Sequence, residues 1–271
     1  MIGNESTRMK NKLGAGLLAF VLALAGLLLA ASPAQAAACT PNPCYDYAGF
    51  KQTVDFSAVS LLLGKENPAT DANTWHSLAE VDAMDATSAN IVEVGWTKDP
   101  LVCASGVSVC LFMFNWVNGV PGCYNGCGAV NGAGCSPYCL GASLDGITNG
   151  TSKSVTLSHI CDPTCRWWAA FDGAWRFAIP DSDWGASAFT VGKKYQVFGE
   201  VALKDTTSCA DMMNGVLPTG SPTFLGGKAN SITLTGGSAA VAPTAFATSP
   251  TKWNALMVTG ISGRFGGPGN C

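Results

Sequence analysis

Charged side chains make up only 12% of this 271-residue chain, and histidine occurs just twice, as His76 and His159. Two histidines outside any ligand motif are too few for a histidine-rich metal site, so neither a metal nor a cofactor is expected. Lys and Arg total 15 and nowhere form a cluster, which argues against a nucleic-acid partner, because phosphate neutralisation requires a basic patch. The chain has no Gly-x-Ser-x-Gly elbow, phosphate loop or dinucleotide fingerprint. Ser249-Pro250-Thr251-Lys252 has Ser-x-x-Lys spacing but sits in a proline-containing loop without the companion motifs of that chemistry. Long helical stripes are also missing, and past the N-terminus no apolar run is long enough to cross a membrane.

The N-terminus reads as a secretory leader over residues 1–38. Arg8, Lys10 and Lys12 precede an apolar Leu13 to Ala31, and Pro33 with the Ala34-Gln35-Ala36 triplet supplies a cleavage site after Ala36 or Ala38. Leu13 to Ala31 is just long enough to serve instead as an anchor, but the helix-breaking Pro33 favours cleavage. Lipid on Cys39 is disfavoured because it would leave an odd number of cysteines. Removing Arg8, Lys10, Lys12 and Glu5 leaves 12 basic and 17 acidic side chains. The mature chain is expected to be extracellular, monomeric and free of the membrane.

Twelve cysteines remain, mostly in close pairs: Cys39/Cys44, Cys103/Cys110, Cys123/Cys127, Cys135/Cys139 and Cys161/Cys165, with Cys209 and Cys271 left over. A secreted chain makes disulfides of them. The short closures rigidify loop tips, whereas a Cys209 to Cys271 closure contributes roughly 4 kcal/mol in the loop-entropy model. Pairing among Cys123, Cys127, Cys135 and Cys139 is left open by their spacing.

A period of two predicts strands at Asn90–Thr97, Cys110–Asn118, Ser136–Ser143, Ser154–Ile160, Arg166–Phe171, Ala174–Ile179, Lys194–Leu203 and Ser231–Thr235. Turns such as Asn118-Gly119 and Asp172-Gly173 separate them, which predicts an all-β fold, an antiparallel sandwich of two packed sheets. Val54–Leu63 alternates like one further strand, and Asp71–Met84 fits either a short helix or more strands. The expected organisation is an N-terminal segment over 39–84 packed on the domain, a catalytic sandwich over 85–235, and a C-terminal extension over 236–271 tied by Cys271.

Against this neutral background two glutamates stand out. After the leader only Glu66, Glu80, Glu93 and Glu200 occur, and two of the four lie inside apolar strands beside glycine, as Ile91-Val92-Glu93-Val94-Gly95-Trp96 and Val197-Phe198-Gly199-Glu200-Val201. Strands disfavour glutamate, and carboxyls drawn into one pocket split their proton affinities, as an acid and base pair must. Alternation places Glu93 on one face and Val92, Val94 and Trp96 on the other. Gly95 and Gly199 are expected to let a substrate backbone approach the sheet. Gln196 shares the Glu200 face and is a candidate to hold water or an oxyanion. Trp96, Trp116, Tyr124 and Trp168 are candidate walls of a substrate cleft.

The order Glu93-Val94-Gly95-Trp96, Leu111-Phe112-Met113-Phe114-Asn115-Trp116, Gly122-Cys123-Tyr124-Asn125, Leu140-Gly141-Ala142-Ser143, Trp167-Trp168, Phe198-Gly199-Glu200 and Met213-Asn214-Gly215 resembles the neprosin family. That resemblance, over about residues 85–235, implies a β-sandwich glutamic endopeptidase that cuts peptide or protein substrates after proline, with Glu93 and Glu200 as its catalytic pair. Phe177-Ala178-Ile179-Pro180 and Phe198 depart from the family pattern and bear on proline preference. The competing expectations are a secreted glycoside hydrolase, which also uses two carboxylates, and a non-catalytic carbohydrate-binding sandwich.

Overall fold

The computed structural model describes residues 44–204, 208–218, 227–237 and 240–269. The leader, Cys39 and Cys271 lie outside the described residues. Among the described residues fifteen strands run in the order β1 Cys44–Phe56, β2 Ala58–Gly64, β3 Thr74–Met84, β4 Ile91–Lys98, β5 Cys110–Val117, β6 Val120–Pro121, β7 Val130–Asn131, β8 Ser152–Cys161, β9 Cys165–Phe171, β10 Ala174–Pro180, β11 Gly192–Leu203, β12 Gly227–Thr235, β13 Thr244–Ala247, β14 Asn254–Thr259 and β15 Ser262–Gly266. They build two antiparallel sheets. One has seven strands in the order β13-β1-β11-β3-β4-β5-β6, and the other eight in the order β14-β15-β12-β2-β8-β9-β10-β7.

Two packed sheets bury their facing side chains, and the predicted sandwich is what forms. Val92, Val94 and Trp96 of β4, Ala79, Val81 and Ala83 of β3, and Tyr195, Val197 and Val201 of β11 belong to the same core as Val59, Leu61 and Leu63 of β2 and Val155 and Leu157 of β8. Each large side chain taken fully from water contributes roughly 1.5–3 kcal/mol. Aromatic rings close the gaps edge-on, as in Phe50 with Phe265 and Phe56 with Tyr195. Asn118 and Gly119, at φ 53° and 77°, make the tight turn from β5 to β6, and Asp172 with Gly173, at 54° and 78°, does the same from β9 to β10. Positive φ at both central residues is why Asn-Gly and Asp-Gly were readable as hairpins.

The expected Val54–Leu63 strand is broken at Ser57, because the chain leaves one sheet there and enters the other; its amide instead donates to the Thr235 carbonyl at 2.7 Å. Ser136–Ser143 is no strand. The Cys135–Cys139 disulfide and the bonds from Tyr138 N to Cys135 O and from Ala142 N to Cys139 O curl it into turns, which consume the groups a ladder would need. Residues 74–84 resolve as strand β3, not helix. The segment 44–84 thus supplies interior strands of both sheets, and β13, β14 and β15 extend both sheets from the C-terminal stretch.

Disulfides join Cys103–Cys110, Cys123–Cys127, Cys135–Cys139 and Cys161–Cys165, which settles the pairing that the spacing left open. Cys44 and Cys209 are disulfide-bonded too. No helix among the described residues is long and apolar enough to cross a membrane.

Candidate active site

The site is built on the face of the seven-stranded sheet that points away from the core. Alternation along β3 puts His76, Leu78, Glu80 and Asp82 on that face, opposite the core residues Ala79, Val81 and Ala83. Strand β4 contributes Glu93 and Gly95, and β11 contributes Gln196, Phe198 and Glu200. Antiparallel register sets these into rows: Glu93 with Asp82 and Gln196, then Gly95 with Glu80 and Phe198, then Thr97 with Leu78 and Glu200. Glu93 and Glu200 therefore share one face, with β3 running between their strands. Two strand spacings and an offset of four residues separate their Cα atoms by roughly 16 Å, with Glu80 at the midpoint of the diagonal.

Each glutamate is held by a donor. Trp116 Nε1 donates to Glu93 Oε1 at 2.9 Å, and His76 Nε2 lies 2.6 Å from Glu200 Oε1. The other ring nitrogen of His76, Nδ1, is 3.6 Å from Asp99 Oδ2. Burial pulls the imidazolium down, but hydrogen bonds and charge from Asp99 and Glu200 outweigh it, and the His76 pKa is raised to about 9. His76 is consequently a cation at neutral pH, sandwiched between two carboxylates.

Further carboxyls of this face are deeply buried. Glu80 is 2% exposed and Asp82 1%. Burial, then the nearby Glu93, Glu200 and Asp82, drive the Glu80 pKa well above the ordinary carboxylate range. Burial, with Asp82 and Glu200, does the same to Glu93, against the opposing pull of Trp116 and His76. Asp82 is pushed up to about 7 by burial, although Gln196 opposes this through its backbone amide at 2.6 Å and its side-chain Nε2 at 3.0 Å. The sheet face thus holds a proton-retaining cluster of Glu80, Asp82 and Glu93 next to Glu200 in contact with His76.

Tyrosines wall this face. Tyr47 pairs with Glu200 across β1 and β11, and Tyr124 packs on Phe112 and Phe114 and contacts the His76 ring edge-on. Both phenols are pushed upward by burial and then by the glutamates, so both stay protonated donors. Tyr124 rides on a turn stapled by Cys123–Cys127 and hooked to β5, where Asn125 N donates to Met113 O and Met113 N to Asn125 Oδ1, both at 3.0 Å. Asp99 directly follows β4, and its carbonyl accepts from the amide of Cys103, where the Cys103–Cys110 loop begins, at 2.9 Å.

Of the residues singled out in the sequence, Glu93, Glu200, Trp116, Tyr124 and Gln196 meet here. Two do not. Trp96 is 1% exposed on the core side of β4, where its Nε1 donates to Gly64 O at 2.9 Å, so the alternation that exposes Glu93 removes it from any cleft. Trp168 lies on β9, in the eight-stranded sheet, with Arg166 over its ring, and its core-facing neighbours Trp167 and Ala169 put it on that sheet's outer side. The glycines also differ from expectation. Gly199 faces the core, where a Cβ would stand 2.6 Å from Met212 Cγ, and a Cβ on Gly95 would collide with the β3 backbone at Ala79 and Glu80. Both permit close packing of protein on protein.

His76, Glu80, Asp82, Asp99 and Tyr47 were not singled out. The signal for three of them was present in the His76-x-Leu78-x-Glu80-x-Asp82 alternation, which reads clearly only once 74–84 is known to be a strand. Among the described residues the grouping with metal-ligand spacing is His159 with Cys161 and Cys165, but those sulfurs are joined in a disulfide, which leaves a single nitrogen.

No family model and no curated protein sequence matches this chain. Solved structures similar in fold include scytalido-glutamic peptidase with a transition state analog inhibitor, 10% identical over 82% of this chain and 98% of that chain, TM-score 0.40. Another is SCP-B, a member of the eqolisin family of peptidases, in complex with the tripeptide Ala-Ile-His, also 10% identical over 82% and 98%, TM-score 0.37. A third is the carbohydrate binding module CBM66 from Bacillus subtilis, 11% identical over 61% and 80%, TM-score 0.30. These likenesses concern the run of strands; the chemistry of the site rests on its own side chains.

Proposed function

We propose that this protein is a secreted glutamic peptidase that hydrolyses peptide bonds in acid solution through Glu93 and Glu200. The observation that carries the reading is the contrast in how two glutamates on one sheet face are held: Glu200 against the His76 cation, Glu93 in a desolvated, proton-retaining cluster capped by Trp116. An acid and base pair requires that asymmetry. Glu200, the carboxylate of the ion pair, takes a proton from water as the water oxygen bonds to the scissile carbonyl carbon. Glu93, kept protonated by burial, polarises the carbonyl and then protonates the leaving nitrogen as the C–N bond breaks. Tyr47 and Tyr124, both protonated, are positioned to donate to the substrate or the developing oxyanion.

The sign of the pH dependence follows from Glu93. Its acid form is required, so activity declines as the solution becomes alkaline enough to remove that proton. Preference for proline rests on the neprosin resemblance alone. The test is incubation at pH 3 to 5 with a denatured proline-containing protein and with a polysaccharide panel. New peptides support a peptidase, reducing sugars alone support a glycosidase, and neither product supports a binding sandwich. Glu93→Gln and Glu200→Gln should each abolish cleavage with circular dichroism unchanged; full activity in either would falsify the pair.

A further inference from the structure

The mechanism above leaves a group unused at its centre. Glu80 is the midpoint of the diagonal from Glu200 to Glu93, one strand from each and displaced two residues along the strand from both. Diagonal neighbours of this kind have Cα atoms about 7–8 Å apart, within reach of two long side chains. Glu80 Oε2 is buried and has no hydrogen-bond partner, a costly state for a carboxyl oxygen in the middle of a packed face. Unsatisfied buried polar atoms in native folds call for an explanation, and here the neighbours supply one.

We propose that Glu80 relays protons between Glu200 and Glu93, resetting the pair after each turnover. The inference rests on the peptidase reading of those two residues. Bond cleavage leaves Glu200 protonated and Glu93 ionised, which is the reverse of the starting state. With a peptide product in the groove, exchange with bulk water is obstructed, and Glu80 is the carboxyl between them. At rest Glu80 Oε2 has no partner; once the carboxyls swing into contact, Glu200 passes its proton to that oxygen while Glu80 releases the proton on its other oxygen to Glu93. One O–H bond forms and one breaks on Glu80, which stays neutral, and rotation of its carboxyl restores the original arrangement. The titratable groups that interact with it are Glu93 from β4, Glu200 from β11, Asp82 from β3 and Tyr124 from the Cys123–Cys127 turn, and His76 and Tyr47 lie beyond Glu200 on the same face. The upward shift of Glu80 by burial and by its acidic neighbours agrees with the neutral form that a relay needs.

Glu80→Gln keeps the shape and removes the transferable proton. The expected result is a fall in kcat of about tenfold or more with KM unchanged and a changed solvent deuterium isotope effect, while Glu80→Asp, which retains a carboxyl, recovers part of the rate. Wild-type kcat in Glu80→Gln, or equal loss in Glu80→Gln and Glu80→Asp, overturns the relay. A second readout does not depend on turnover: infrared spectra of the full chain at pH 7 should contain a protonated-carboxyl absorption, shared with Glu93 and Asp82, from which one component is lost in Glu80→Gln. Its absence in wild type overturns the relay even if the protein cleaves peptides, whereas a band without peptide cleavage by wild type overturns the peptidase reading and the relay with it.

Discussion

At the scale of single residues, the site depends on two donors that the sequence offers without explaining. Trp116→Phe keeps the ring but loses the bond to Glu93, worth about 1 kcal/mol, and should lower kcat/KM roughly fivefold, as read from initial rates at pH 4. His76→Asn removes the cation between Asp99 and Glu200 and leaves two half-satisfied carboxylates; breaking a buried pair in this way costs about 3–5 kcal/mol. Urea unfolding at pH 6 checks this, and an unchanged midpoint would show that the ion pair carries no stability. Glu93 and Glu200 were legible because a carboxyl inside an apolar strand violates strand preference. His76 was not, since a lone histidine has no such anomaly until its neighbours are known.

At the scale of elements, β3 decides the geometry. It separates the two glutamate strands and brings Glu80, Asp82 and His76 between them. Small residues at Ala79 and Ala83 on its core side, and Gly95 beside it on β4, let the sheets and strands approach closely. Gly199→Ala pushes a methyl group into Met212, with Phe265 at 3.2 Å behind it, and overpacking of this kind costs about 1–3 kcal/mol. In a domain of this size that lowers Tm by about 2–10 °C in a thermal melt. Gly95→Ala should be worse, because the obstacle is backbone at Ala79 and cannot rotate aside. The strands β4, β5, β8 and β11, apolar runs bounded by turn residues, were predicted to within two residues, whereas Ser136–Ser143 alternated by chance and its disulfide-closed turn prevailed over the pattern.

At the scale of the whole molecule, the buried groups make stability depend on pH in one direction. Asp82 has a folded pKa of about 7 against an ordinary value of 3.8, so its contribution is fully present below about pH 3.8 and is lost as pH rises through 7. His76 has a folded pKa of about 9 against 6.5, so its contribution is present below 6.5 and is lost as pH rises through 9. Glu80 and Glu93 act with the same sign. The protein should therefore melt at a higher temperature at pH 5 than at pH 9, measured by calorimetry with the disulfides intact. A Tm that rises from pH 5 to pH 9 would mean that these carboxyls are not proton-bearing in the fold. Such an acid-tolerant design suits the proposed chemistry.

The sequence alone determined the all-β class, the hairpins at Asn118-Gly119 and Asp172-Gly173, the core face of β4 and the pairs Cys103/Cys110 and Cys161/Cys165, because period, turn chemistry and close spacing are local. Only the tertiary structure decided that β3 lies between the two glutamates, that His76 reaches Glu200 and Asp99, and that Trp96 and Trp168 stand apart from the site. Strand order and register are long-range properties set by which faces can be buried together, and no local pattern encodes them.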